Sequence, residues 1–429
     1  MKNLKTNTVK KVFNDFGGSV ILNTMTKVRA FPAEEVVGFH FGQSPFPVYP
    51  PIAHGLKNHI NSNGYAHKNG VVELREQMSK WIKHHHGLDY SPDNIIVTTG
   101  AKINFFTLMK ILSGQVMINA CSWATYAPQN VIANFEKPTI VQSTKENNYF
   151  PTPEDFRRAE NSDQNRKLTI INSPNNPSGL VIPQNLQKEL ADYFRKNGYI
   201  LVDDEIYNLL HFDMNDYVPF AKLYPEGTIL SNSVSKWGNA GGWRIGYMAF
   251  PDELKFLIDH ILALNTEIVS CPATPLQYAA IDMFKVGDKE YDRYINDMRR
   301  ICKVTGVYIA KRLRELGLSC KDPQGGFYMY VDFEDFRGKL AGKGITTGKQ
   351  LTDALLDRHK IAVLDGSCFL RDPNELGFRL SNSDYNGKLL LEKARLIDTE
   401  LDDNFVEENC DKIIRGVEGI KSFVNWLNE

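Results

Sequence analysis

Neither sign of charge dominates this chain: 50 lysines and arginines stand against 51 aspartates and glutamates over 429 residues, a formal net charge of −1. Without a basic excess there is no electrostatic footprint for nucleic acid. No apolar run approaches the length of a bilayer span, so no membrane segment is expected. Cysteine is sparse, and the six residues at 121, 271, 302, 320, 368 and 410 form neither a Cys-x-x-Cys pair nor a metal-ligand spacing. Such scatter suits a reducing compartment and points to neither disulfides nor a bound metal. Arginine is missing from the first eighteen residues, and no long apolar stretch or small-residue cleavage site follows them. A targeting presequence is therefore not expected. Val9, Val12, Phe13 and Phe16, at helical spacing, read instead as an amphipathic arm packed on the body or on a partner subunit, with the cytoplasm as the default location. Internal repeats and low-complexity tracts are absent as well.

What is present is material for a large core. With 42% apolar residues the chain is long enough for more than one domain. Short apolar strands are expected near 94–98, 115–119, 168–172, 199–203, 228–231 and 246–250, alternating with helical stretches. That alternation predicts an α/β fold with a mostly parallel central sheet and helices on both faces. After about residue 300 come a long helical pattern, the run Gly325-Gly-Phe-Tyr-Met-Tyr-Val331 and an apolar strand through Arg379. The last forty residues or so, with Trp426 and Leu427 near the end, suggest one or two amphipathic helices.

The most telling tract is Ser231-Asn-Ser-Val-Ser-Lys236-Trp-Gly-Asn-Ala-Gly-Gly-Trp-Arg244-Ile-Gly-Tyr247. A lysine among small residues can hold an aldehyde cofactor as a Schiff base and later move a proton at a substrate's α-carbon. Ser233, Ser235 and Gly238 leave room for a ring and its phosphate, and the rigid donor fork of Arg244 suits a dianion. Asn94-Ile-Ile-Val-Thr-Thr-Gly100-Ala101-Lys102 reads as a strand, a glycine turn and a helix start, where free N–H groups favour an anion. Asn172-Ser-Pro-Asn-Asn176-Pro-Ser-Gly179 is a tight turn after an apolar strand. Tyr199-Ile-Leu-Val-Asp-Asp204-Glu-Ile-Tyr207 runs an apolar strand into three acids, which need partners if buried. Leu376-Gly-Phe-Arg379-Leu-Ser-Asn382 sets an arginine in an apolar strand, and a desolvated arginine calls for an anion.

These landmarks, in this order over roughly residues 35–385, resemble the class I and II aminotransferases, the fold type I enzymes that use pyridoxal 5'-phosphate (PLP). The resemblance implies that Lys236 is the catalytic lysine. It makes Gly100, Ala101, Lys102, Ser233 and Arg244 the phosphate site, with Ala101 standing where many members carry a hydroxyl. Trp123, in Cys121-Ser-Trp-Ala-Thr-Tyr126, would stack on the cofactor ring, and Asn176 and Tyr207 would reach its phenolic oxygen. Asp204 would keep the pyridine nitrogen protonated, with Asp203 as the competitor one register step away. Arg379 would clamp a substrate α-carboxylate, helped by Asn176, while Gly42, in Phe41-Gly-Gln-Ser-Pro-Phe46, would lie in the loop that closes over substrate. Tyr65 would cross to a neighbouring subunit's phosphate, which implies a homodimer. His67 and Lys68 beside it read as solvated loop residues.

By the same likeness residues 1–50 form an N-terminal segment joining the small domain, 51–299 a large PLP-binding domain and 300–429 a smaller α+β domain. Asp365 departs from the family, which usually has proline there. The implied activity is transfer of an amino group between an L-amino acid and a 2-oxo acid. A PLP-dependent lyase, decarboxylase or cyclase would use the same residues. A PLP sensor fused to a DNA-binding module is disfavoured, because no helix-turn-helix pattern precedes residue 35.

Overall fold

Ile95-Ile-Val-Thr98 is buried at every position, as a strand must be when helices cover both faces of its sheet. In the computed structural model, which describes residues 20–161 and 167–429, this strand, β1 (Ile95–Thr98), edges a seven-stranded sheet. The others are β2 (Gln115–Asn119), β3 (Thr139–Val141), β4 (Lys167–Asn172), β5 (Tyr199–Asp204), β6 (Thr228–Ser233) and β7 (Gly246–Ala249). Their order is β1-β7-β6-β5-β4-β2-β3. Strands β3, β2, β4, β5 and β6 pair in parallel, and β7 runs antiparallel to both of its neighbours, β6 and β1. The fold is thus α/β with a mostly parallel sheet. Strand β3 has no counterpart in the sequence expectations, being three residues long and only partly buried.

A second, antiparallel sheet of three strands follows: β8 (Tyr328–Asp332), β9 (Leu364–Asp365) and β10 (Gly377–Ser381), in the order β8-β10-β9. Arg379 lies opposite Tyr330 on one side and Leu364 on the other. The chain reaches this sheet through the 27-residue helix Lys289–Glu315, started by Asp288, whose side chain accepts the Glu290 and Tyr291 N–H groups at 3.1 Å each. Residue 300, where the smaller domain was expected to begin, sits inside that helix. Asp365 takes up a capping role, accepting the Ser367 N–H at 3.1 Å at the start of the short turn Gly366–Phe369. The tail folds as helices Gly387–Ala394, Asp403–Asn409 and Asp411–Asn428, the last burying Ile413, Val417, Ile420, Phe423, Val424 and Leu427 on one face. The expected amphipathic arm at residues 1–18 lies outside the described residues.

The two sheets meet through main chain. Gly179, in the turn after β4, has φ +69, and a Cβ there would stand 2.0 Å from the Tyr328 carbonyl oxygen. Its own carbonyl accepts the Gln324 and Gly325 N–H groups at 2.8 and 3.1 Å. Only glycine satisfies both the conformation and the contact. Among the described residues no helix is long and apolar enough to cross a membrane.

Behind the sheet, Phe194 is fully buried in an aromatic cluster, edge-to-face with the Phe156 ring at 5.0 Å and tilted against Tyr199 at 4.9 Å between centroids. Phe194→Ala should therefore lower stability by about 3–5 kcal/mol. The check is the urea unfolding midpoint, with activity per folded molecule unchanged.

Candidate active site

Strands β1, β4, β5 and β6 all end at one edge of the large sheet, and each delivers a motif there. Beyond β1, Gly100 turns the chain with φ +74 into the helix Ala101–Ile111, whose first turn has no side-chain cap. The N–H groups of that turn are left for an external acceptor. A Cβ at residue 100 would lie 2.3 Å from the Arg244 guanidinium, so glycine also lets this arginine approach. Arg244 is held by the Gly241 and Thr99 carbonyls at 2.9 and 3.2 Å.

A cavity of about 410 Å³ opens at this edge, lined by Gly42, Ala101, Lys102, Trp123, Asn176, Asp204, Tyr207, Ser235, Lys236, Arg244, Tyr328 and Arg379 among others. Four cationic side chains, those of Lys102, Lys236, Arg244 and Arg379, face a single carboxylate, Asp204. The Lys236 ammonium donates to the Gly42 carbonyl, 5.9 Å from the Tyr207 ring centre and 5.6 Å from that of Phe327.

Three successive acids, Asp203, Asp204 and Glu205, are all buried at the end of β5 and each finds a different partner. Asp203 accepts the Phe220 N–H at 2.8 Å, away from the cavity. Glu205 binds His86 Nε2 at 2.9 Å and the Tyr217 hydroxyl at 2.7 Å. Asp204 alone lines the cavity, with Oδ2 accepting from the Tyr126 hydroxyl and Oδ1 buried without a partner. Alternation along the strand thus separates Asp204 from Asp203, the competitor for its role. Burial pushes the Asp204 pKa up to about 7, against the lowering pull of Tyr126, the Ile206 N–H and Lys236.

Arg379 is fully buried on β10. Its Nη2 donates to His40 O at 2.6 Å and its Nη1 to Asn176 Oδ1 at 3.1 Å, while Nε has no partner. The guanidinium lies 4.6 Å from the Tyr328 ring centre and 5.0 Å from that of Phe369. Burial lowers its pKa, and among the described residues no carboxylate pairs with it. By holding the carbonyl oxygen of Asn176, Arg379 leaves the amide nitrogen of Asn176 free to donate into the cavity. The Tyr207 hydroxyl donates to Tyr328 at 3.0 Å, and Tyr328 to Gly42 O at 3.3 Å.

Three expected residues do not line this cavity: Gly100, which sits behind Arg244 at the turn, Ser233 and Tyr65. The Ser233 hydroxyl is buried against the Ile245 carbonyl at 2.9 Å and the Ser235 hydroxyl at 2.6 Å, so Ser235 presents itself in its place. Tyr65 sits apart in its own chain, in a loop, with 90% of its surface exposed. Sequence reasoning missed Tyr126 and Tyr328, although both lie inside runs that it singled out.

Residues 35–383 match the family described as aminotransferase class I and II. The chain belongs to that family. It is an aminotransferase, moving amino groups between amino acids and 2-oxo acids. It is 32% identical over 344 residues to an aspartate aminotransferase of Geobacillus stearothermophilus, covering 78% of this chain and 84% of that protein. An aspartate aminotransferase of Pyrococcus horikoshii is 28% identical over 351 residues, covering 80% and 85% of the two chains. Among solved structures, the aspartate aminotransferase of Thermus thermophilus with maleate superposes with a TM-score of 0.79 at 25% identity, covering 90% of this chain and 97% of that one.

The raised Asp204 pKa carries a sign for this aminotransferase. Folding favours the protonated acid, so ionising Asp204 destabilises the protein increasingly as pH rises from the usual carboxylate range to about 7, and fully above it. In cofactor-stripped protein, Asp204→Asn should therefore gain melting temperature over the parent at pH 8 and much less at pH 5. Equal differences at the two pH values, by calorimetry, would refute the shift.

Proposed function

We propose that this aminotransferase holds PLP in the 410 Å³ cavity and acts on dicarboxylic amino acids such as aspartate. The observation that carries this reading is the convergence of Lys236, Asp204 and Arg379 on one cavity, with one Asp204 oxygen buried and unpartnered. The fit to PLP is chemical. An orphaned buried carboxylate oxygen suits a ring N–H, and an uncapped helix start beside Arg244 and Ser235 suits a phosphate. Lys236 would carry the cofactor, Trp123 cover its ring, and Asn176 and Tyr207 meet its phenolic oxygen. Gly100, Ala101 and Lys102 would offer backbone N–H groups to the phosphate. Bound there, PLP supplies a protonated pyridine ring that accepts the electrons left at a substrate's α-carbon.

The chain's own residues do the rest. Arg379 binds the substrate α-carboxylate with its fork of donors and so fixes the direction of the α C–H bond. Lys236, as a free amine, takes the proton from that carbon and moves it onward as a general base and acid. Once Arg244, Arg379 and Lys236 are assigned, Lys102 is the remaining cation of the cavity, 5.2 Å from the Trp123 ring centre. Partial desolvation, then the neighbouring Arg244 and Lys236, lower its pKa. An anionic side chain on the substrate would relieve that repulsion, and the relatives named aspartate aminotransferases support the same choice.

The proposal includes a cytoplasmic homodimer in which Tyr65 reaches the partner's phosphate site. Its 90% exposure, in a chain that also exposes Ile60 by 70% and Val72 by 48%, supports a role completed by a second copy. The division at residues 50 and 299 into N-terminal segment, large domain and small domain belongs to this reading too.

Lys236→Ala should cut turnover by about a thousandfold or more while the folded protein persists. Lys102→Ala should raise KM for aspartate about tenfold or more and leave KM for an uncharged amino acid nearly unchanged. Steady-state kinetics with both substrates check these outcomes. Unchanged turnover by Lys236→Ala would remove the mechanism, and a uniform effect of Lys102→Ala would remove the dicarboxylic assignment.

A further inference from the structure

Residues 34–47 supply both main-chain oxygens that hold the cavity's central cations: His40 O takes Arg379 Nη2 at 2.6 Å, and Gly42 O takes the Lys236 ammonium. Apart from one bridge at Val37 this strip has no regular structure, so its carbonyls are held by single contacts such as the Ser381 N–H on Phe39 O at 2.7 Å and by what the strip packs against. Much of that packing comes from beyond residue 383, where the family match ends.

At the near end Arg415, in the helix Asp411–Asn428, donates to the Glu34 and Glu35 carbonyls at 2.9 Å each. Gly416 of the same helix faces the Phe39 ring so closely that a Cβ would stand 2.3 Å from it. In the middle, Asp384 Oδ2 accepts the Gly38 N–H at 2.6 Å, and the Lys412 ammonium holds the same carboxylate at 3.1 and 3.4 Å. Asp384 thus fastens the strip two residues from the carbonyl that orients Arg379. At the far end a Cβ on Gly387, the first residue of helix Gly387–Ala394, would lie 2.4 Å from Pro45 O. The Tyr385 ring meets Phe46 at 5.9 Å.

We propose that Asp384, steadied by Lys412, is a positioning residue for Arg379, acting through Gly38 and His40 on the affinity for a substrate carboxylate. This rests on the assignment of Arg379 to that carboxylate. A short hydrogen bond from a main-chain N–H to an ionised acceptor is among the stronger ones available to a loop. Without it the strip relaxes, His40 O shifts, and the guanidinium loses one of its two fixed points. The affinity for carboxylate falls, while the proton transfer at Lys236 is little affected.

The test compares Asp384→Ala, Asp384→Asn and an Arg379→Ala control in PLP-loaded enzyme. It measures kcat and KM for aspartate, the Kd for succinate by calorimetry, and cofactor content by absorbance. Asp384→Ala should weaken succinate about tenfold and raise KM in parallel, with kcat and cofactor content nearly unchanged. Asp384→Asn, whose amide oxygen still accepts from Gly38, should recover most of the loss. Parental succinate affinity in Asp384→Ala, with Arg379→Ala defective, overturns the proposal and leaves the role of Arg379 standing. Parental affinity in Arg379→Ala removes that role and the proposal together. If Asp384→Ala fails to fold, Lys412→Ala, which removes the ammonium held by the same carboxylate, should weaken succinate in the same direction, and parental affinity there overturns the proposal.

Discussion

A guanidinium taken out of water with no acid among the described residues to pair with it is the constraint around which this site is arranged. Burying a cation is costly unless hydrogen bonds and an anion compensate. Arg379 has two carbonyl-type acceptors, two aromatic rings and an idle Nε, which is partial compensation. Each part comes from a different region: β10 places the side chain, the turn after β4 gives Asn176, and the strip before residue 50 gives His40. Under the function proposed above, an incoming carboxylate would complete the set. In that reading the same deficit that weakens the isolated chain would be a source of its affinity for acids.

Asp204 has the opposite sign and the same logic. It ends a strand buried on both faces, with one oxygen satisfied by Tyr126 and the other left over. Tyr126 settles the orientation of the carboxylate, because a side chain held at one oxygen presents the other in a fixed direction. Asp203 and Glu205 on either side are fully engaged in holding Phe220, His86 and Tyr217, so they stabilise the strand end and take no part in the cavity. Incomplete pairing at both of these cavity-lining charged groups fits a site in which local stability is given up for function.

Much of this was legible in the sequence because the chemistry needs particular residue types at strand ends. Six of the seven large-sheet strands were expected from apolar runs, and Lys236, Asn176, Asp204 and Arg379 came from motifs whose backbone settings recur. Strand β3 was missed because three residues carry no periodicity to read. Ser233 is the last residue of β6, with its hydroxyl against the Ile245 carbonyl, while Ser235 lies in the turn beyond the strand and lines the cavity, a difference between strand and turn that sequence does not display. Tyr126 and Tyr328 carry no local signal of a role, since only tertiary contact distinguishes a tyrosine that orients an acid from one that fills space. The fastening of residues 34–47 by Asp384, Lys412 and Arg415 joins distant stretches of chain, where a single sequence offers no local signal.

That fastening also bears on the order in which the protein is made. The strip that carries His40 and Gly42 leaves the ribosome early, yet Gly38 waits for a partner 346 positions later and His40 for one 339 positions later. Contacts of such separation close late in folding. A nascent chain that already displays Lys236 therefore has an unfinished cavity until synthesis has passed Arg379 and the helix carrying Lys412. The large sheet can gather its lysine and its acid first, and the buried arginine's side of the cavity is completed only with the last tenth or so of translation.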